Sequence, residues 1–373
     1  PEPPPPSGLT ATGGIISDYE VSGTYYRSHI FNSSGTFTVS STGDYGSTVE
    51  YVVVAGGGSG ATADGYGGGG AGGYRSSVTG ENSGGGNSAE SALTVSASPG
   101  SYTVTIGGGG AAAGPPLTTG NKGTNSVFGP ITAEGGGYGA GHATGGAGGS
   151  GGGGGDYPRG GRPGPATNYP GPSAQGFPGG QGASDQTLYT KGGGGGGASA
   201  AGQGWPTGPN PDASVGAKGS SGGNGVRTAI AGPNYPIGTP GPSSTGGTGG
   251  GPSTAVTGGW LAGGGAGYKN NPAAMGVGGA GGGGGESPIG KDGKQLTGGG
   301  GASFVPDLSG AGGSGIVVVR YQISSGQSGT AKATGGNISY YGGKTIHAFT
   351  STGDFNNTTG SNITGCEVII IGA

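Results

Sequence analysis

The chain has 373 residues, of which 109 are Gly and 26 Pro; hydrophobic residues make up 29%, charged residues 8%, and the formal net charge is −3. Gly usage averages about 7% in ordinary proteins, so this composition excludes a conventional apolar core over the whole length, and its low charge excludes a basic nucleic-acid surface or an acidic tail. Cys366 is the sole cysteine, which leaves no disulfide framework and no Cys-based zinc site within the chain, and no apolar run approaches the ~18 residues of a membrane span.

The chain opens on Pro1-Glu2-Pro3-Pro4-Pro5-Pro6, a stiff polyproline II spacer without a Met, which reads as part of something longer. Residues 15–54 carry strand signals. Tyr25 to Phe31 and Thr36 to Val39 are rich in aromatic and β-branched residues, with Asn32-Ser33-Ser34-Gly35 as the turn between them. Val49 to Val54 is a short apolar run that fits a strand buried on both faces. Residues 93–96 and 101–106 alternate about Pro99-Gly100 and predict a hairpin, and a short pair, Ser126 to Phe128 and Ile131 to Ala133, flanks Gly129-Pro130. Beyond residue 135 the apolar runs almost vanish until Ile316 to Tyr321, one last strong strand.

Glycine tracts fill the interval, the longest being Gly151 to Gly155, Gly192 to Gly197 and Gly281 to Gly285. A collagen triple helix needs a strict Gly-X-Y period, and these consecutive glycines of variable length lack one. Runs of pure Gly suit extended threefold helices laid side by side, each N–H and C=O finding a partner in a neighbour. The expected fold is therefore all-β plus polyglycine II: a small β-sandwich-like head, a bundle of laterally hydrogen-bonded glycine helices, and essentially no α-helix, since Gly and Pro would break every candidate.

An internal repeat sets the organisation. Ala-Thr-Gly-Gly occurs at 11–14 and 333–336, His29 to Phe37 is echoed by His347 to Phe355, and Glu50 to Ala55 by Glu367 to Gly372. A unit of roughly 320 residues followed by the opening of a second implies an array of similar modules. The expected divisions are a Pro-rich linker at 1–10, a β-rich head with the first glycine tracts at 11–135, a polyglycine II bundle with Pro-rich loops at 136–315, a closing strand and linker at 316–332, and the start of a second repeat at 333–373.

Taken together, Tyr51-Val52-Val53-Val54-Ala55-Gly56-Gly57-Gly58, Gly70-Ala71-Gly72-Gly73-Tyr74-Arg75, Tyr102 to Gly109, Asn125 to Gly129 and Gly313 to Tyr321 resemble the glycine-rich repeat modules of tailed-phage fibre and structural proteins. The His-x-Phe-x-Ser-x-Gly-x-Phe stretch at 29–37 belongs to the same pattern, and the resemblance covers 11–321. It implies a polyglycine II sandwich, as in related fibre-tip adhesins that recognise host receptors through loops at one end. The tandem copy and Pro spacer point to a shaft or array module.

The chemistry-bearing motifs are weak. Gly342-Gly343-Lys344-Thr345 has the tail of a phosphate-binding loop, but Ile338 stands where that pattern needs Gly. Gly151 to Asp156 matches one calcium nonapeptide start, without the stacked copies such sites need. His29, His142 and His347 are scattered, and no carboxylates pair as acid and base. No catalytic, metal or cofactor residue is nominated.

Eight aromatics in the Pro-rich breaks remain as candidate receptor or partner contacts: Tyr157, Tyr169, Phe177, Tyr189, Trp205, Tyr235, Trp260 and Tyr268. A bundle of glycine helices offers no core for large rings, so these are expected at loop tips, bundle edges or contacts with another chain, where exposed Tyr and Trp anchor binding surfaces and stack on sugars. The expected function is non-enzymatic and structural or adhesive, in a virion appendage. The expected partners are other copies of the chain (a homotrimer or filament), tandem modules, and a host-surface glycan or outer-membrane receptor, with no nucleic acid and no membrane insertion. A bacterial extracellular or cell-surface filament is the alternative, with an ice-binding protein behind it.

Overall fold

Short runs of β-branched and aromatic residues fix the strands, and the computed structural model describes residues 6–62, 66–114, 119–155, 165, 174–184, 190–204, 219–233, 235, 237–239, 259–270, 273–285, 291–304, 309–324, 331–349 and 352–371. The first half contains β1 (Thr10–Thr12), β2 (Ile15–Val21), β3 (Thr24–Phe31), β4 (Gly35–Ser41), β5 (Thr48–Val54), β6 (Tyr74–Ser76), β7 (Leu93–Thr94), β8 (Ser101–Thr105), β9 (Ser126–Phe128) and β10 (Ile131–Ala133). Six short strands lie within the glycine-rich middle: β11 (Ala183–Ser184), β12 (Thr190–Lys191), β13 (Val226–Thr228), β14 (Gly259–Leu261), β15 (Tyr268–Asn270) and β16 (Ala273–Met275). Then come β17 (Ile316–Ile323), β18 (Ala333–Thr334), β19 (Asn337–Tyr341), β20 (Lys344–Ala348) and β21 (Asn356–Asn357). Every pairing between these strands is antiparallel. Among the described residues there is no α-helix, only a 3-10 turn at Gly84–Gly86.

Two larger sheets share a core. One has the order β2-β3-β17-β5-β6 with β7 added beside β5; the other runs β1-β4-β8-β9-β10. Phe31, Tyr51, Val53, Val317 and Val319 of the first sheet pack with Phe37, Val39, Val104 and Phe128 of the second. Phe37 is the hub, its ring edge-on to Phe128 at 5.8 Å and to His29 at 5.1 Å. Alternate residues of β5 and β17 face the other way: Val52, Val54, Ile316 and Val318 join a second cluster with Ile230, Tyr235 and Leu261. This two-sided burial explains why Val49 to Val54 reads as a continuous apolar run.

One expectation is corrected. Residues 93–96 and 101–106 do not pair as a hairpin: β7 pairs with β5 through Thr48↔Thr94 and Val49↔Leu93, whereas β8 lies between β4 and β9. Alternation specifies which residues face inward, and Val95 and Val104 are both buried, but it does not choose the partner strand. The short strands of the middle were also not legible, because two or three residues carry no usable period.

Between the strands the glycine segments are bonded sideways. Ala55, Gly58 and Ala61 donate their amides to the carbonyls of Gly73, Gly70 and Gly67; Gly56 and Ser59 donate to Thr124 and Asn121; Gly57 and Gly60 donate to Gly313 and Gly310. The partner thus returns at every third residue. The carbonyls of the same segment accept amides of Gly110, Gly136, Gly139 and Gly301, so residues 55–61 touch six neighbouring segments of the described chain. Segment 67–73 repeats the pattern, donating in turn to 134–140, to 193–196 and to 298–301. Segment 192–198 does so toward 262–268, 151–154 and 200–203. At these glycines the neighbours leave no room for a side chain: a Cβ on Gly58 would stand 2.2 Å from the Gly137 carbonyl oxygen, and one on Gly69 would stand 2.1 Å from that of Gly58.

The second copy reproduces the geometry of the first. His29 Nδ1 lies 2.7 Å from the Gly13 carbonyl and His347 Nδ1 lies 2.8 Å from that of Gly335. Ala11↔Val39 and Thr12↔Thr38 in β1–β4 correspond to Ala333↔Asn357 and Thr334↔Asn356 in β18–β21. The Ala-Thr-Gly-Gly motif has a reason in the backbone: Gly13 and Gly14 take φ of 108° and 64°, and Gly335 and Gly336 take 105° and 65°, a region L side chains disfavour.

An ion pair ties the central strands together. The Arg320 guanidinium on β17 donates to the Glu50 carboxylate on β5 and to the Tyr19 hydroxyl at 3.3 Å, and lies 4.7 Å over the Tyr26 ring. Arg320→Met keeps the packed stem and strands Glu50. Because the two side chains keep 12% and 19% exposure, the expected loss is about 2–3 kcal/mol, at the lower edge of what breaking a buried pair costs. The shift of the urea midpoint measures it.

Candidate functional site

The aromatic candidates divide. Tyr157, Tyr169, Tyr189 and Trp205 lie outside the described residues. Tyr235 and Tyr268 are 3% and 7% exposed, so their rings are not available to a partner. Tyr235 belongs to the cluster formed with Ile230, Ile237 and Leu261 against the outer face of the β5–β17 sheet. The glycine-rich middle therefore does have a place for large rings where it meets that sheet. Tyr66 shows a second way: it is fully buried, its ring edge-on to His142 at 5.2 Å and its hydroxyl 3.1 Å from His142 Nε2. Phe177 and Trp260 are half-buried and remain accessible.

Those two meet at one segment of chain. Gly86 lies at the end of the 3-10 turn. The Phe177 ring stands 3.4 Å from where a Cβ of Gly86 would be, and Gly86 also lines a cleft of about 550 Å³ that Trp260 borders. Trp260 sits on β14 directly opposite Arg227 of β13. Its amide donates to the Thr239 carbonyl at 2.7 Å and its carbonyl accepts the Thr239 amide at 2.9 Å, which pins the strand. The turn containing Glu81 and Asn82 also lines the cleft, and Ser199 contributes a hydroxyl.

Glu81 is held in place. Its Oε1 accepts the Ala229 amide at 2.8 Å. Burial pushes its carboxyl above the usual range, with the Ala229 amide and the Thr228 hydroxyl opposing. Gly80, Glu81 and Asn82 also line an adjoining cleft of about 490 Å³ that extends toward Thr79 and Glu90. The two clefts flank one turn and share its residues.

The histidines are structural where the first repeat places them. His29 is fully buried, and since Nδ1 must donate to the Gly13 carbonyl, the neutral ring accepts the Tyr321 hydroxyl on Nε2 at 3.0 Å. Burial lowers its pKa to about 4, against the Gly13 hydrogen bond that raises it. Among the described residues no three His, Cys, Asp or Glu side chains gather as metal ligands.

Trp260 alone of the cleft residues was singled out by sequence. Glu81, Asn82, Ser199 and Arg227 come from three separate stretches, and nothing in their local sequence marks them; only the pairing of β13 with β14 brings Arg227 beside Trp260. A family model described as a glycine-rich domain matches residues 32–322. Comparison with curated proteins gives no match.

Proposed function

We propose that this chain, which belongs to the glycine-rich domain family, serves as a non-enzymatic structural and adhesive module of a phage tail fibre or similar virion appendage. The observation that carries the reading is the return of hydrogen-bond partners at every third residue in segments 55–61, 67–73 and 192–198. An extended helix with three residues per turn and no internal bonds turns successive amides by a third of a circle, so each amide meets a different neighbour. We read the segments as polyglycine II helices packed six around one. Such a bundle is rigid along its length without a thick apolar core, which suits a load-bearing appendage.

The duplicated geometry of residues 11–39 and 333–357 supports modules in tandem, with copies of the chain associating as a homotrimer or filament. Loops between glycine segments would then face a host receptor. The chain's placement is tested by peptide mass spectrometry on gradient-purified phage particles and on the washed envelope of the host cells. The expected result is that peptides from 29–55 and 347–373 are enriched with capsid proteins. Recovery of those peptides with cells alone overturns the virion assignment and leaves a bacterial surface filament.

A further inference from the structure

The groove between the paired strands β13 and β14 and the turn at Glu81 and Asn82 has no role in the load-bearing reading. Its volume of about 550 Å³ falls in the range of small-ligand sites, roughly 300–1,000 Å³. Its composition selects among ligands. Trp260 offers an indole that is partly exposed, on a strand whose backbone is fixed on both sides by β13 and Thr239. Around it stand the exposed Asn82, Ser199 and Arg227 and the part-buried Glu81. The wall thus carries an amide, a hydroxyl, one guanidinium and one carboxyl beside a single aromatic ring.

A nucleotide or other phosphate ligand is disfavoured, because the one guanidinium is matched by a carboxyl. A wholly apolar ligand would leave the polar rim unpaired. A ring with one apolar face and a hydroxyl periphery satisfies both halves: its face covers the indole, and its hydroxyls meet donors and acceptors at the rim. The neighbouring cleft, which shares Gly80, Glu81 and Asn82, gives room for a further ring along the same chain.

We infer that the Trp260 groove is a saccharide-binding site that takes an uncharged oligosaccharide stacked on the indole, with the exposed Asn82, Ser199 and Arg227 supplying its hydrogen bonds. The inference deepens the adhesive reading and rests on it only for the biological source of the glycan.

The test is an immobilised array of bacterial surface oligosaccharides probed with the whole chain. The expected result is binding to at least one uncharged glycan, weakened about tenfold or more in Trp260→Ala and severalfold in Asn82→Ala. Circular dichroism and thermal melting establish that each variant is folded. If Trp260→Ala does not fold, Asn82→Ala and Arg227→Ala, both at exposed positions, carry the test. No glycan bound by the wild type overturns the inference. So does wild-type binding by the groove variants, which would put the glycan elsewhere on the chain. The array and the virion fractionation read different quantities, so either can fail while the other stands.

Discussion

Gly109→Ala is expected to destabilise the chain by about 3 kcal/mol or more, whereas Gly108→Ala, one residue earlier in the same tract, changes stability by less than about 0.5 kcal/mol. The two glycines share composition, neighbours in sequence and helix-breaking character. They differ in what surrounds them. A Cβ on Gly109 would stand 1.9 Å from the Gly312 carbonyl oxygen, while a Cβ on Gly108 meets only the Thr124 hydroxyl oxygen, at 3.9 Å. Gly312 cannot retreat freely, because its own amide donates to Gly110. Relief of the clash therefore moves two bonded segments together. In a disordered tract both substitutions would be silent, or would slightly stiffen the chain. Chemical denaturation of the two variants side by side separates the accounts.

Lowering the pH from about 6.5 to about 4 is expected to remove about 3 kcal/mol of stability through His29 alone. The sign follows from the two pKa values. Unfolded, the ring titrates at its ordinary 6.5; folded, it is held at about 4. Below 6.5 the unfolded state takes up a proton that the folded state refuses, so stability is complete above that pH and falls as acid is added. The loss levels off once the folded ring also titrates. The cause is geometric: a protonated Nε2 could no longer accept the Tyr321 hydroxyl, and the ring is fully buried between Phe37 and Tyr321. His29→Gln should be less stable at pH 7 and should flatten the curve between pH 6.5 and 4. A variant with the same acid slope as wild type would assign the slope to other groups.

How much of this was legible depended on the length of the signal. Val49 to Val54 announces a strand buried on both faces and Ile316 to Tyr321 a strong strand, because each run is long enough to exclude the alternatives; that β17 is also buried on both faces came from the structure. The glycine tracts announce close packing, because only Gly tolerates carbonyl oxygens near 2 Å from its missing Cβ. What the sequence could not carry was pairing. Leu93 joins Val49 and not the 101–105 strand, a choice made by the core that Val95 and Phe37 share and not by the intervening Pro99-Gly100. Tyr235 was expected at a loop tip, a bundle edge or a contact with another chain and lies in a cluster, since its burial depends on Leu261 and the outer faces of β5 and β17 arriving from other segments. The Trp260 groove is the extreme case. Its walls are assembled from residues 81–82, 199, 227 and 260, and only the indole has a local signature.

The most direct measurement is amide hydrogen exchange followed by mass spectrometry across segments 55–61, 67–73, 192–198 and 262–268. The lateral lattice predicts slow exchange there, comparable to the protection of Thr48–Val54, since nearly every amide in these segments has a carbonyl partner in a neighbour. Exchange at the rate of an unstructured chain in those segments, alongside protected β5 and β17, would contradict the lattice and reduce the glycine tracts to linkers between strands.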